Sequence, residues 1–307
     1  MPNRGLKVVL SALVFCLVLS ALVPVAIAAG GDTIAFQGFR RAGGTEMSVF
    51  TMAADGGNVT RLGVGEEPSI SRDGKKIVFV KAAGENRRDQ EVFVMDSDGT
   101  NVHQLSDDKS FDRQPTISPD GKEVAYVSEG KGQKPEGAQI FLMTISGSDP
   151  VQLTRNLPEG GVNTEPGFSP NGNRIVFIHS GRPGGAEIEA MNIDGSGRIV
   201  LGRGDAFDAP SHPSYAPDGR RIAFQANAKK GGQTNVYTFN PVNGSDLDKI
   251  NKGDAEAFEP AYSPDGRSIA FRRGINLFSM TLEGSEVEQL TDLNPADGAN
   301  TQPSWSW

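Results

Sequence analysis

The chain has 307 residues, of which 38 are acidic and 30 are basic, and its formal net charge at pH 7 is −8. An acidic balance of this kind disfavours binding to nucleic acid and favours solubility. Cys16 is the only cysteine and lies in the predicted leader described next. The mature chain would therefore have no disulfide, no thiol nucleophile and no cysteine-ligated zinc.

The first 28 residues have the features of a cleaved secretory signal peptide. Arg4 and Lys7 precede an apolar stretch at 8–23, and an A-x-A cleavage motif ends at Ala28. The alternative is an uncleaved membrane anchor, because the apolar stretch approaches the roughly 20 residues that span a bilayer. The small residues after the stretch favour cleavage. We therefore predict a periplasmic or secreted domain at 29–307, with no stable membrane insertion once the leader is removed.

One phrase recurs along the rest of the chain, with copies spaced 43 to 51 residues apart. Its typical form is Pro-x-aromatic-Ser-Pro-Asp-Gly, a basic residue, and then a β-rich run such as Ile-Ala-Phe. A repeat of this length is typical of propellers and solenoids. The last copy is split, because QPSWSW at 302–307 ends the chain while the matching second half, DTIAF, stands at 32–36. Only a closed ring brings these ends together, which favours a propeller. The prolines of the six copies are Pro68, Pro115, Pro166, Pro213, Pro260 and Pro303.

Each repeat contains four short β-rich runs. The first two runs are joined by Pro-Asp-Gly or a close variant, in which Pro presets φ, Asp or Asn caps the turn and Gly accepts a positive φ. The third and fourth runs are joined by Asp-Gly or Asn-Gly, the strongest short hairpin signal. The chain therefore predicts an all-β fold, a six-bladed β-propeller of four-stranded antiparallel blades. Pairing of the N- and C-terminal strands would close the ring.

Two series of apolar residues hold a fixed position in the repeats. Methionine fits irregular gaps in a core, so we predict that the methionines of the third strand pack between neighbouring blades. The aromatic residues of the second strand should lie in the core. The two series are Met52, Met95, Met143, Met191 and Met280, with Phe239 in the odd copy, and Phe36, Phe79, Tyr126, Phe177, Phe224 and Phe271.

The segment 260–271, PAYSPDGRSIAF, resembles the WD-like repeat of TolB-type six-bladed propellers. Leu290-Thr291-Asp292 at a blade end and the terminal segment 303–306 match the same pattern. The resemblance covers 29–307 and the propeller half of TolB proteins, which also carry an N-terminal α/β domain. It implies that the propeller docks Pal, a peptidoglycan-associated lipoprotein, within the Tol system of the cell envelope.

The two faces of the predicted ring differ in their loops. The short Asp-Gly turns all fall on one face, here called the turn face. The connections between second and third strands and between blades fall on the other, the loop face. Because scaffolds carry function on variable loops, we predict that the loop face binds a partner. The long loops, predicted at 37–46, 81–90, 128–138, 179–186 and 226–234, carry a basic collar of Arg40, Arg41, Lys81, Arg87, Arg88, Lys131, Lys134, Arg182, Lys229 and Lys230.

The residue before each repeat proline should stand at the mouth of the central channel. These six residues, here called the mouth ring, are Glu67, Gln114, Glu165, His212, Glu259 and Gln302. Converging carboxylates could hold a hard cation or a basic side chain of a partner. Alternatively, they cap neighbouring backbone amides or remain solvated. The predicted partner-binding site is the mouth ring together with Arg40, Arg41, Arg87 and Arg88, and the sequence leaves a metal at the mouth undecided.

No catalytic motif accompanies this scaffold. The motifs H-E-x-x-H, G-x-x-x-x-G-K-[ST] and G-x-S-x-G do not occur in the sequence. We therefore expect a monomeric, non-enzymatic protein without a cofactor that binds a protein of the cell envelope. The alternative is a propeller enzyme or a sugar- or metal-binding protein, lyase- or lactonase-like, with a site in the central channel. Glu67, Glu165, Glu259 and His212 are its only support.

Overall fold

The structure is a computed structural model that describes residues 32–39, 46–84, 89–108, 110–129, 137–148, 150–155, 161–202, 207–229, 232–293 and 298–306. Within these ranges the chain forms six four-stranded antiparallel sheets. The predicted six-bladed propeller is confirmed. The described ranges contain no helix with the length and apolar character needed to cross a bilayer. The predicted leader and its cleavage site lie outside these residues.

The strands follow one another blade by blade. Blade 1 contains β1 (Thr33–Phe39), β2 (Met47–Ala53) and β3 (Thr60–Val64), and blade 2 contains β4 (Glu66–Ile70), β5 (Lys76–Ala82), β6 (Gln90–Asp96) and β7 (His103–Gln104). Blade 3 contains β8 (Phe111–Ile117), β9 (Glu123–Glu129), β10 (Gln139–Thr144) and β11 (Val151–Gln152), and blade 4 contains β12 (Val162–Phe168), β13 (Arg174–Ser180), β14 (Glu187–Asn192) and β15 (Ile199–Gly202). Blade 5 contains β16 (Asp208–Tyr215), β17 (Ile222–Asn227), β18 (Thr234–Phe239) and β19 (Asp248–Lys249). Blade 6 contains β20 (Phe258–Tyr262), β21 (Ser268–Arg273), β22 (Asn276–Thr281) and β23 (Glu288–Gln289), and β24 (Asn300–Trp305) completes blade 1.

The ring closes through the pairing of β24 with β1. Ile34 lies opposite Trp305. Trp305 holds the position that an Ile, Phe or Tyr of the first strand holds in the other blades. Beyond the paired strands, the Ser306 N–H donates to the Thr33 carbonyl oxygen at 3.0 Å. The predicted closure by the terminal strands is therefore confirmed.

The core lies within and between the blades. The six aromatic residues of the second strands are at most 2% exposed, and the five methionines of the third strands at most 3%. Met95 packs in one cluster with Ala35 and Val49 of blade 1, and Met143 packs with Val78 and Val80 of blade 2. The methionines therefore seal the contacts between neighbouring blades, as the repeat predicts.

The second strands extend further toward the loop face than the sequence predicts. β5 ends at Ala82 and β13 at Ser180, so residues placed in the long loops, including Lys81 and His179, belong to strands. The difference arises because the third strand also starts close to the loop and continues the antiparallel ladder, as in the pair His179–Glu187. His179 is consequently buried, with 1% of its surface exposed.

Candidate functional site at the channel mouth

All six residues of the mouth ring have a left-handed backbone, with φ between 51° and 56°. Non-glycine residues adopt this conformation at a cost of roughly 1–2 kcal/mol. The first strands shift register at this point, for example between Arg113 and Thr116 in blade 3. The shift is a β-bulge, and it leaves the N–H of the ring residue unpaired within its own blade.

The side chain of the preceding ring residue accepts that N–H across the seam between blades. The Gln114 N–H donates to Glu67 Oε2 at 2.5 Å, and the Glu165 N–H donates to Gln114 Oε1 at 3.0 Å. The same bond joins the His212 N–H to Glu165 Oε2 at 2.5 Å and the Gln302 N–H to Glu259 Oε2 at 2.7 Å. Capping of neighbouring amides, one of the two alternatives for the carboxylates, is thus confirmed.

At two seams a glutamine from a second strand performs this capping. The Glu259 N–H donates to Gln225 Oε1 at 2.6 Å, and the Glu67 N–H donates to Gln37 Oε1 at 2.7 Å. The ring residues that precede these seams do not cap. Among the described residues, His212 Nδ1 and Gln302 Oε1 are buried without a hydrogen-bond partner.

The electrostatic environment differs around the ring. Burial raises the pKa of the Glu67 carboxyl, and the Gln114 N–H and the Arg113 guanidinium only partly offset this effect. Glu259 Oε2 instead lies 3.1 Å from Arg272 Nε. The mouth therefore combines one carboxylate in a desolvated setting with another that is paired to a cation.

The ring opens into a central cavity of about 250 Å³ lined by the first strands. Below the ring lie the six repeat prolines, then a layer of small residues, and then a bulky layer near the turn face. The bulky layer consists of Ile70, Ile117, Phe168, Tyr215, Tyr262 and Trp305. Within the described ranges, the hydroxyls of Tyr215 and Tyr262 and Nε1 of Trp305 are buried without a partner. One half of this layer can therefore offer hydrogen-bonding groups to a molecule in the cavity, a feature that the sequence analysis missed.

The mouth-ring half of the predicted site is brought together, whereas the predicted collar is described only in part. Arg40, Arg41, Arg87 and Arg88 lie outside the described residues, as do Lys131, Lys134 and Lys230. Lys81 and Lys229 are exposed. Arg182 differs from them, because its guanidinium lies 2.7 Å from both Glu187 and Glu189.

Exposed cations also occur on the turn face. Lys75, Lys122, Arg220 and Arg267 each follow the glycine of a turn and lie 3.2–4.0 Å from the aspartate of the same turn. Basic residues are therefore present on both faces.

The mouth ring does not form a joint metal site in the described residues. Glu67, Glu165 and Glu259 do not bring their oxygens within 4.8 Å of one another as a group, whereas an acidic trio elsewhere does. Each of the three carboxylates can instead bind a separate donor group of a partner at the mouth.

Residues 68–212 match the family model described as the TolB beta propeller domain. The "Protein TolB homolog" of Chlorobaculum tepidum is 30% identical over 131 residues, which cover 43% of this chain and 27% of that protein. The "Tol-Pal system protein TolB" of Francisella tularensis is 30% identical over 210 residues, covering 53% of this chain and 47% of that protein. The chain thus spans about a quarter and about half of these two relatives.

Solved structures show the same fold. TolB from Acinetobacter baumannii superposes with a TM-score of 0.73 at 21% identity, covering 90% of this chain and 66% of that one. A putative TolB from Agrobacterium tumefaciens gives 0.63 at 20% identity, covering 90% and 99%. An oligogalacturonate lyase from Vibrio parahaemolyticus gives 0.54 at 12% identity, covering 88% and 90%. These matches and the closed ring of blades show that the chain has the six-bladed β-propeller fold seen in TolB structures, and that residues 68–212 are similar to the TolB beta propeller domain.

Proposed function

We propose that this chain is an exported, monomeric, non-enzymatic propeller that binds a protein of the cell envelope through its loop face and channel mouth. The name of one relative, "Tol-Pal system protein TolB", supports a role in that system and a periplasmic location. A Pal-like lipoprotein is the partner that follows from this relationship.

The fixed mouth ring is the observation that carries the proposal. Four of its side chains are held by hydrogen bonds to the next blade, yet part of their surface faces solvent. The side chains of Glu165 and Glu259 are 19% and 13% exposed. A polar rim that is already ordered loses little conformational entropy on binding. Such a rim around a cavity suits a partner segment that inserts hydrogen-bond donors or cations.

The same hydrogen bonds favour binding over catalysis. Glu67, Glu165 and Glu259 each use one carboxylate oxygen to cap a backbone amide. A general acid or base must exchange its proton with a substrate, whereas these carboxylates hold the blades together. Their second oxygens can still accept bonds from a partner.

Replacing Glu67, Glu165 and Glu259 together with Gln tests the proposal. A glutamine oxygen can still cap the amide, as Gln114 does for Glu165, so the ring should stay folded while losing its negative charge. We expect the affinity for a soluble Pal-like domain, measured by calorimetry, to fall at least about tenfold, while the variant still unfolds cooperatively on heating.

Charge reversal distinguishes the two faces. Lys81→Glu with Lys229→Glu alters the loop face, and the predicted collar residues Arg40, Arg41, Arg87 and Arg88 extend this set. Arg220→Glu with Arg267→Glu is the matched control on the turn face, where both side chains are exposed. Loop-face reversal should slow association with an acidic partner, most visibly at low salt. Loss of binding in the turn-face control, with normal binding in the loop-face and Gln variants, would disprove the proposal.

A further inference from the structure

A set of three hydrogen-bonded side chains, here called the polar lock, joins blades 3 and 4 on the loop face. In blade 3, Thr154 Oγ1 accepts the Ile140 N–H at 2.9 Å and donates to Gln139 Oε1 at 2.8 Å. Asn163 of blade 4 donates its Nδ2 to the same Gln139 oxygen at 2.9 Å. The three side chains are neutral, and the amide N–H of Asn163 supplies the donor that the buried oxygen needs.

The two bonds that this lock makes within blade 3 recur within blades 5 and 6. Asn251 accepts the Val236 N–H at 2.8 Å and donates to Asn235 Oδ1 at 3.0 Å. Thr291 accepts the Leu277 N–H at 2.9 Å and donates to Asn276 Oδ1 at 3.0 Å. Neutral side chains therefore make the bonds within the blade in blades 3, 5 and 6.

The seam between blades 2 and 3 uses carboxylates instead. Ser106 Oγ accepts the Val92 N–H at 2.9 Å and donates to Glu91 Oε2 at 2.7 Å, which reproduces the geometry around Thr154. Glu91 thus takes the place of Gln139, and Asp112 takes the place of Asn163. An ionised carboxylate has no hydrogen to donate, so the third bond of the lock cannot form while Asp112 is ionised.

Asp112 is not fully compensated in the described part of the chain. Its side chain is fully buried, and neither carboxylate oxygen has a hydrogen-bond partner there. Burial raises the pKa of Asp112 to about 7, with Asp108 and Glu91 adding to the effect, while the Ser106 and Ser128 hydroxyls oppose it. Unpaired buried carboxylates are costly and uncommon in folded proteins.

A third carboxylate completes the cluster. Carboxylate oxygens of Glu91, Asp108 and Asp112 all lie within 4.8 Å of one another. Asp108 is exposed in the connection between β7 and β8, and its Oδ1 accepts the Ser110 N–H at 2.8 Å. The cluster therefore has two buried carboxylates and one that opens it to solvent.

We propose that Glu91, Asp108 and Asp112 bind a divalent cation, with calcium the best fit, at the seam between blades 2 and 3. Oxygen ligands without nitrogen or sulfur suit a hard cation, and calcium accepts irregular sets of six to eight oxygens that include water. The ion supplies a partner for the buried oxygens, which is the role of the Asn163 N–H one blade further on. It also fixes the connection that carries Asp108 against both blades.

Calcium titration of the EDTA-dialysed full-length mature protein tests the site. Calorimetry should show one site with a dissociation constant on the order of 10⁻⁴–10⁻³ M, the range of extracellular calcium modules. At a calcium concentration about 100 times that constant, the folding equilibrium constant should rise about 100-fold. Magnesium should bind more weakly, because it requires near-octahedral geometry.

The chain offers a matched variant and a control. The double variant Glu91→Gln and Asp112→Asn recreates the Gln139–Asn163 pair, so it should fold without calcium and bind calcium at least about tenfold more weakly. Asp107→Asn removes an exposed charge next to Asp108 but outside the cluster, and it should bind normally. The proposal is overturned if about 10 mM calcium produces neither heat nor a shift in melting temperature. It is also overturned if the double variant binds as the native protein does, or if only a proton satisfies the cluster, so that stability depends on pH but not on calcium.

Discussion

The side-chain oxygen of Gln225 accepts the backbone N–H of Glu259 at 2.6 Å, across the seam between blades 5 and 6. At most other seams this amide is capped by the preceding mouth-ring residue. Here the preceding residue is His212, whose Nδ1 is buried without a partner among the described residues. The glutamine therefore compensates for a histidine in another strand of the same blade.

Gln225→Leu should lower the free energy of unfolding by about 1–3 kcal/mol, because it leaves the Glu259 N–H without its acceptor. Urea denaturation measures the loss, and the exposed Gln233 gives a control, since Gln233→Leu should change little. Adding His212→Gln to Gln225→Leu should recover much of the stability by restoring a capping glutamine in the ring. If the double variant is no more stable than Gln225→Leu, capping is not what Gln225 contributes.

Much of the fold could be predicted because each blade repeats the same local signals. The turn glycines, the buried aromatic residues and the split last repeat are enough to specify blade number and closure. The left-handed backbone of the mouth ring could not be predicted from those signals, because Glu67 and Gln114 are residue types that rarely adopt it. It results from a bulge and from a bond to another blade, which are features of the assembled ring.

Some contacts of charged side chains depend on residues that depart from the repeat. Glu189 stands where the third strands of other blades carry an aromatic residue that stacks on the second strand, as Phe93 does on Phe79. In blade 4 the guanidinium of Arg198 covers the Phe177 ring at 5.0 Å and also bonds to Glu189. The sequence shows which residues depart from the repeat. It does not show which residues their side chains contact, because those contacts form between strands.

The terminal strands should contribute strongly to stability. Trp305 lies opposite Ile34 and is 8% exposed, so Trp305→Ala should lower the free energy of unfolding by about 3–5 kcal/mol. Deletion of residues 302–307 should lower the melting temperature further, because β24 would lose two of its four paired positions with β1, those of Ser304 and Trp305. Val242→Ala is the control, since Val242 is 74% exposed. An unchanged melting temperature after the deletion would show that β24 does not fasten the ring.

The leader should be removed during export. Ala28 ends the predicted cleavage motif, so the intact mass of protein from the extracytoplasmic fraction should correspond to a chain that starts at Ala29. Ala26→Leu with Ala28→Leu should block cleavage, because the motif needs small side chains, and a precursor of full length should accumulate. A native protein that stays full-length in the membrane fraction would support the anchor alternative.

Glu67 should make folding less favourable as pH rises. Burial raises the pKa of its carboxyl above the ordinary 4.5, so between that value and the raised pKa the folded state binds more protons than the unfolded state. The stabilisation that the neutral Glu67 carboxyl gives the folded protein is fully present below about pH 4.5. It is lost as the pH rises through the pKa of this carboxyl in the folded state.

Glu67→Gln should remove this dependence while keeping the cap on the Gln114 N–H. Urea midpoints at about pH 4.5 and about pH 7.5 should show the variant gaining stability relative to the native protein at the higher pH. Exposed Glu288, on the outermost strand of blade 6, provides the comparison, because Glu288→Gln should shift both midpoints equally. If Glu67→Gln also shifts both midpoints equally, burial of the charged form is not what opposes folding at neutral pH.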